Sequence, residues 1–196
     1  PNVVEVQNAI SIHGKKTVDI IFCGFLRKLK RINLVIDTVE KLKIKIPNVS
    51  CLIIGNGPER RSLEFLVSKR GLDKNIKFID YQYPIHGMLV TAKLFLLTSE
   101  SEGLPMSIVE AIECGIPTVA SNINDIPDVI VNGYNGILVD HTNQEEYYHA
   151  CYKLLINNNL RAKMSKNARE SFLNYYKSNS SLEAVSGIWD RIFDLS

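Results

Sequence analysis

Short apolar runs recur along the chain, each bounded by polar residues and turn formers. The runs at 18–23, 50–54, 75–79, 94–97, 117–120 and 136–139 are predicted to be buried strands. A shorter run, Val3-Val4-Glu5-Val6, predicts one more small strand. The stretches between them carry helical periodicity. Leu34, Val35, Thr38, Val39 and Leu42 form the inner stripe of a helix running from Ile32 to about Lys43. Gly55-Asn56-Gly57-Pro58-Glu59 turns the chain into a helix that reaches about Arg70 and is capped by Gly71. A short helix is predicted over 84–92 and a helical turn over 127–131. From Gln144 onward the chain is helical, with breaks near 157–159 and 178–181.

Strands that alternate with helices imply an α/β fold, a parallel sheet covered on both faces. Open sheets of this kind bind ligands beyond the carboxyl ends of their strands. The polar loops at 24–31, 55–58, 98–104 and 121–125 all follow strands, so they are expected to converge on one rim. No internal repeat or low-complexity stretch interrupts the pattern.

The unit from Leu94 to Ser121 holds the densest candidate chemistry. It reads as strand, polar loop, short helix and strand. Pro105 suits the first turn of the helix, Gly115 suits a left-handed cap, and Pro117 opens the next strand. Glu102 lies in the loop and Glu110 on the helix, roughly 7–8 Å along from Pro105. The helix start offers free N–H groups and a positive dipole end, which suits a phosphate. A carboxylate, an anion socket and a second carboxylate would then line one ridge, fit for a sugar, a diphosphate and a ribose. The alternative is plain solvation. On a helical wheel Glu110 falls nearly opposite Pro105, Ile108, Val109 and Ile112, and Glu102 sits among other acids.

After the first strand, Arg27, Lys28, Lys30 and Arg31 make a basic loop. It reads either as a solvated turn or as a clamp on a diphosphate. Gly55-Asn56-Gly57-Pro58 reads first as an ordinary strand-to-helix turn.

Composition narrows the field. The chain has 196 residues, enough for one ordinary domain, and 45% of them are apolar, enough for a substantial core. A net charge of +2 gives no general electrostatic case for nucleic acid. No apolar run approaches the ~18 residues of a membrane span. No signal peptide is recognisable; the chain begins at Pro1, and a piece of a longer protein is expected. Cys23, Cys51, Cys114 and Cys151 form no Cys-x-x-Cys pair and are read as reduced thiols of a cytosolic protein. His13, His86, His141 and His149 lack ligand spacing, so no metal site is expected. Neither a Gly-x-Ser-x-Gly elbow nor a P-loop is present to carry hydrolase or nucleotide-triphosphatase chemistry.

One long ordered pattern carries a resemblance. Ser99-x-x-Glu102-Gly103-Leu104-Pro105-x-x-x-x-Glu110-Ala111-x-x-x-Gly115-x-Pro117-Thr118-Val119-Ala120-Ser121 continues through Pro127, Asn132-Gly133, Asn135-Gly136 and Ile137-Leu138-Val139. It resembles the signature of retaining glycosyltransferases of family 4. The resemblance implies a Rossmann-like parallel sheet with helices on both faces, the C-terminal, donor-binding half of a GT-B glycosyltransferase, over residues 1–196. Gln7-Asn8-Ala9-Ile10 is similar to the segment that follows the interdomain crossing in that family.

The resemblance also implies roles. Glu102 would touch the transferred sugar, and Glu110 would accept hydrogen bonds from the ribose hydroxyls. Lys30, with Gly24 and the main chain of Gly103, Leu104, Pro105 and Met106, would hold the diphosphate. Tyr81 and Tyr83 would flank the base. The ligand would be a nucleoside-diphosphate sugar acting as donor substrate, with no cofactor and no metal. The partner would be an N-terminal acceptor-binding domain outside this chain, with peripheral membrane contact through that half at the cytoplasmic face. The implied product class is cell-surface polysaccharide or glycolipid.

Three places depart from the pattern. The family's Gly-Arg-Leu-x-x-x-Lys-Gly is matched at Gly24, Leu26 and Lys30, but Phe25 replaces the arginine and Arg31 the last glycine. Arg27 or Arg31 is expected to supply the missing cation. Asp125 and Asp128 stand where a glycine and a glutamate are usual, and Asp80 where glycine is usual. A nucleotide-sugar epimerase or phosphorylase of the same architecture, or an inactive nucleotide-sugar-binding module, remain the alternatives.

Overall fold

A computed structural model of the protein describes residues 16–103 and 105–178. The expected strand near Val3 and residues 179–181 of the expected break lie outside these residues. Six strands form one parallel sheet: β1 Val18–Cys23, β2 Cys51–Ile54, β3 Ile76–Ile79, β4 Ala92–Leu97, β5 Thr118–Ser121 and β6 Gly136–Val139. Their spatial order is β3-β2-β1-β4-β5-β6. In β1, Ile20, Ile21, Phe22 and Cys23 are buried in succession, as are Leu94 to Leu97 in β4, so both faces of the sheet are covered. This explains why the strands read as continuous apolar runs. Ile20 pairs with Cys51 on one side and Leu94 on the other, so β1 and β4 are the central neighbours. The winding direction reverses between them, which opens a crevice at their carboxyl ends.

Among the described residues five helices join the strands, α1 Ile32–Lys45, α2 Arg60–Lys69, α3 His86–Leu89, α4 Met106–Glu113 and α5 Ile126–Val129, and two follow β6, α6 Gln144–Ile156 and α7 Asn158–Ser178. The expected inner stripe of α1 is buried throughout, and Ile32 and Ile36 are buried with it because α6 packs on that helix as well. Asn157 separates α6 from α7, and its Oδ1 accepts the Leu160 N–H at 2.9 Å, a side-chain cap on the new helix.

Strand ends shift by a residue or two from the sequence reading, and three helix boundaries differ in ways that matter to the site. The helix over 84–92 shrinks to His86–Leu89, because the N–H groups of Thr17 and Val18 both donate to Thr91 O and draw the next residues into β4. Pro105 is the cap of α4 and not its first turn; its ψ of 111° is extended. The turn after β5 begins one residue early, at Ile126. The other end of α4 is as expected. Gly115, at φ +64°, donates to Ile112 O at 3.0 Å while Ile116 donates to Ala111 O at 2.9 Å, the paired bonds of a Schellman cap.

Candidate functional site

The loops after β1 and β4 are sewn together across the crevice. Thr98 Oγ1 donates to Lys30 O at 2.9 Å, and Glu100 N–H donates to Leu29 O at 2.8 Å. Lys28–Lys30 is a single 3-10 turn, which aims the Lys30 side chain at the β4 loop. There Lys30 Nζ forms an ion pair with Glu102 Oε1; the two side chains are only 12% and 7% exposed. Ser99 Oγ also donates to Glu102 Oε1, and Asn124 Nδ2 donates to Glu102 O. Glu102 is therefore a held, desolvated carboxylate and not a solvated loop acid.

Behind it runs a chain of buried hydroxyls. Ser121 Oγ donates to Ser99 O at 2.7 Å and lies 2.8 Å from Tyr147 OH. The single Ser121 proton is committed to Ser99, so Tyr147 is the donor in the second bond. Burial lifts the Tyr147 phenol above its ordinary range. Tyr147→Phe removes only this one hydroxyl and is expected to cost about 1 kcal/mol of unfolding free energy, read in a urea titration. A variant as stable as the parent would mean that the bond contributes nothing net.

Glu110 is half-buried, which corrects the solvated reading of the helical wheel. Ile108, Ala111 and Ile112 face the core, whereas Val109, expected there, is only half-buried. Burial lifts the Glu110 carboxyl above the ordinary carboxylate range, opposed by His86 and aided by Glu113. Burial, and then Glu110, push Tyr81 upward and the Cys23 thiol to about 12. Glu110 thus sits within electrostatic reach of the end of β1 and the segment after β3. Tyr81 and Tyr83 are exposed there, 50% and 58%, and Asp80 lies 3.5 Å from Arg60 Nη1.

Between the two acids stands the start of α4. No side chain caps it. Ile108 and Val109 already donate to Pro105 O, which leaves the Met106 and Ser107 amides as the free donors at this end among the described residues. Met106 is exposed, Pro105 is buried, and a side chain at Gly103 would meet open space. Leu104 lies outside the described residues. A Cβ on Gly24 would touch nothing closer than Phe22 Cζ at 3.5 Å, with Lys30 Cε at 3.9 Å, so Gly24 leaves room beside that lysine.

The two arginines of the basic loop separate. Arg31 Nη1 donates to His141 O at 2.6 Å, and its backbone takes φ +49°, a conformation natural for the glycine it replaces. It is a structural tie, which argues against the expected compensation by Arg31. The Arg27 side chain is exposed, with no ion-pair or hydrogen-bond partner among the described residues. Phe25 is exposed beside it. In the β5 loop Asn124 carries the positive φ, +44°, whereas Asp125 has φ −84° and needs no glycine.

Two cavities lie elsewhere. One of about 450 Å3 runs along α2 past Phe65, Leu66 and Lys69, and one of about 230 Å3 lies between β6 and α6. Neither is lined by Glu102 or Glu110, which border an open rim. Among the described residues no cluster of His, Cys, Asp or Glu is placed to hold a metal ion, and no helix is long and apolar enough to cross a membrane.

A family model described as glycosyl transferases group 1 matches residues 4–171. The chain belongs to this family. The group 1 chain is 26% identical over 170 residues to N-acetyl-alpha-D-glucosaminyl L-malate synthase of Bacillus anthracis, covering 87% of this chain and 44% of that protein. A crystal structure of a Staphylococcus aureus TarM variant with fondaparinux, alpha-GlcNAc-glycerol and UDP superimposes with a TM-score of 0.79 at 25% identity, over 92% of this chain and 36% of that one. The chain therefore spans less than half the length of either protein. The C-terminal domain of a group 1 protein, LpcC from Francisella tularensis, shares the fold with a TM-score of 0.75 at 24% identity, over 83% of this chain and 87% of that domain. The Rossmann-like sheet expected from the sequence is the architecture of the C-terminal half of a GT-B glycosyltransferase.

Sequence reasoning missed Ser121, Asn124 and Tyr147 as supports of Glu102, and His86 as a neighbour of Glu110. The one available signal was local: polar Ser99 and Ser121 closing two apolar strands at the carboxyl rim.

Proposed function

We propose that the chain is the donor-binding half of a retaining glycosyltransferase. The observation that carries this reading is the desolvated Lys30–Glu102 pair at the reversal of the sheet, one uncapped helix start away from Glu110. The donor diphosphate lies against Lys30, Arg27 and the Met106 and Ser107 amides. Its ribose hydroxyls donate to Glu110, its base lies along Tyr81 and Tyr83, and its sugar reaches Glu102. The bond from the sugar's anomeric carbon to the diphosphate oxygen breaks, and the electron pair leaves with the diphosphate. The cations and amides stabilise that departing charge without a bound metal. The acceptor hydroxyl oxygen bonds the same carbon on the face the diphosphate left, and its proton passes to the leaving phosphate oxygen. Glu102 steadies positive charge at the anomeric carbon.

The acceptor is bound by a second half of the full-length protein, which works at the cytoplasmic face of the membrane on a polysaccharide or glycolipid precursor. The names of the two proteins compared above make UDP-N-acetylglucosamine the donor to test first. A second reading, a nucleotide-binding module without transfer, draws on Phe25 in place of a cation; a product assay on the full-length protein decides between them.

Calorimetry with UDP tests the site directly. Glu110→Ala is expected to weaken UDP by at least about tenfold, since hydrogen bonds to a charged acceptor contribute about 1.5–3 kcal/mol. Binding should be full above the Glu110 pKa and fall as pH drops through it. Because burial raises that pKa, the fall begins at a higher pH than for an ordinary carboxylate. Unchanged affinity in the variant would remove Glu110 from the site.

A further inference from the structure

Glu110 does not act alone on α4. Glu113 lies one turn further on, and its Oε2 is 3.0 Å from His86 Nε2. His86 is the first residue of α3 and follows the segment carrying Tyr81 and Tyr83. Ile85 and Leu89 are fully buried on either side of it, so its backbone is anchored. The pair thus joins two walls of the rim, the aromatic segment after β3 and the helix that bears Glu110. Both side chains are partly shielded, 37% and 18% exposed. Glu110 and Glu113 face His86 from α4, with Cys114 at the end of that helix. Arg169 reaches in from α7, its Nη1 on Glu113 O at 2.6 Å, and Lys16 approaches Cys114 from ahead of β1. Tyr81 completes the ring beside Glu110.

We infer that His86 is a positioning residue of the nucleoside subsite: its bond to Glu113 holds residues 81–83 against α4, beside the Glu110 that ribose hydroxyls need. This rests on the donor-site reading above. The bond to Glu113 holds His86 above its ordinary pKa, which favours the imidazolium. The cation in turn draws the Glu110 pKa down against the effect of burial.

Two substitutions separate the tie from the charge. His86→Gln places an amide donor near the Nε2 position and keeps a bond to Glu113 without the charge. His86→Ala removes both. UDP affinity is measured by calorimetry from about pH 5 to 8, with thermal melts confirming that each variant is folded. At pH near 7.5, His86→Ala is expected to bind UDP about fivefold more weakly, and His86→Gln within about twofold of the parent. On the acid side His86→Gln should lose affinity at higher pH than the parent, because Glu110 protonates earlier. Glu113→Gln should lower the His86 pKa in an NMR titration of its ring protons. If both His86 variants show the parent's affinity and acid limb while Glu110→Ala is weakened, the inference fails alone. If the parent itself does not bind UDP, the donor-site reading and the inference fall together.

Discussion

Lys30→Ala is expected to lower sugar transfer by the full-length protein about 10²- to 10³-fold. The magnitude is that of removing one preorganised donor from a developing negative charge. Lys30 has two tasks in the proposed site, and the substitution ends both. The departing diphosphate loses its nearest fixed cation. Glu102, only 7% exposed, loses its counter-ion and keeps the Ser99 hydroxyl as its one side-chain donor. A buried carboxylate stripped of its partner typically destabilises a fold by about 3 kcal/mol. Transfer assays therefore need a stability control. Lys30→Arg supplies it, because it retains the charge but not the shape, and should keep the fold while recovering transfer only in part. Transfer by Lys30→Ala within about threefold of the parent would exclude Lys30 from the chemistry.

The strands were legible because a parallel sheet buried on both faces leaves its strands uniformly apolar, with glycine and proline at the edges. The rim was legible for a related reason: every loop that follows such a strand ends on the same side. What a strand-by-strand reading cannot supply is the partner of each polar group. Tyr147 and Ser121 are 26 residues apart, and Lys30 and Glu102 are 72 apart, so no local spacing links them. Glu110 shows the limit of the helical wheel. The wheel places Ile108 and Ile112 in the core of α4 correctly and misses Ala111, and it assumes water opposite, where Glu110 is half-buried within electrostatic reach of Tyr81 and Cys23. The arginines show a different limit. Arg27 and Arg31 look alike in a basic loop. Only the backbone distinguishes them, because the left-handed turn at Arg31 sends its guanidinium toward His141 O, while the Arg27 side chain has no partner among the described residues.

Gly55→Ala is expected to destabilise the chain by more than about 3 kcal/mol, a loss that belongs to backbone collision and not to lost contacts. A Cβ at Gly55 would stand 2.0 Å from Gly24 O, and one at Gly57 2.4 Å from Leu26 O and 2.7 Å from Leu26 N. These are main-chain atoms held in place on both sides. Gly24 N–H donates to Ile54 O at 3.0 Å, and Leu26 N–H donates to Asn56 O at 2.8 Å. Glu59 N–H returns to Leu26 O at 3.1 Å, so the β2 loop lies against the β1 loop with no space for a side chain. Neither loop can retreat without moving Lys30 away from Glu102. Gly55 also has φ +141°, which adds strain for any L side chain. For a domain of this size the loss corresponds to a fall in Tm of roughly 6–12 °C. Gly103→Ala is the internal contrast. Its added Cβ meets nothing within 4 Å, and its stability should change by less than about 0.5 kcal/mol. A Gly55→Ala protein that melts with the parent would show that the two loops slide freely, and the fixed geometry of the Lys30–Glu102 pair would lose its structural basis.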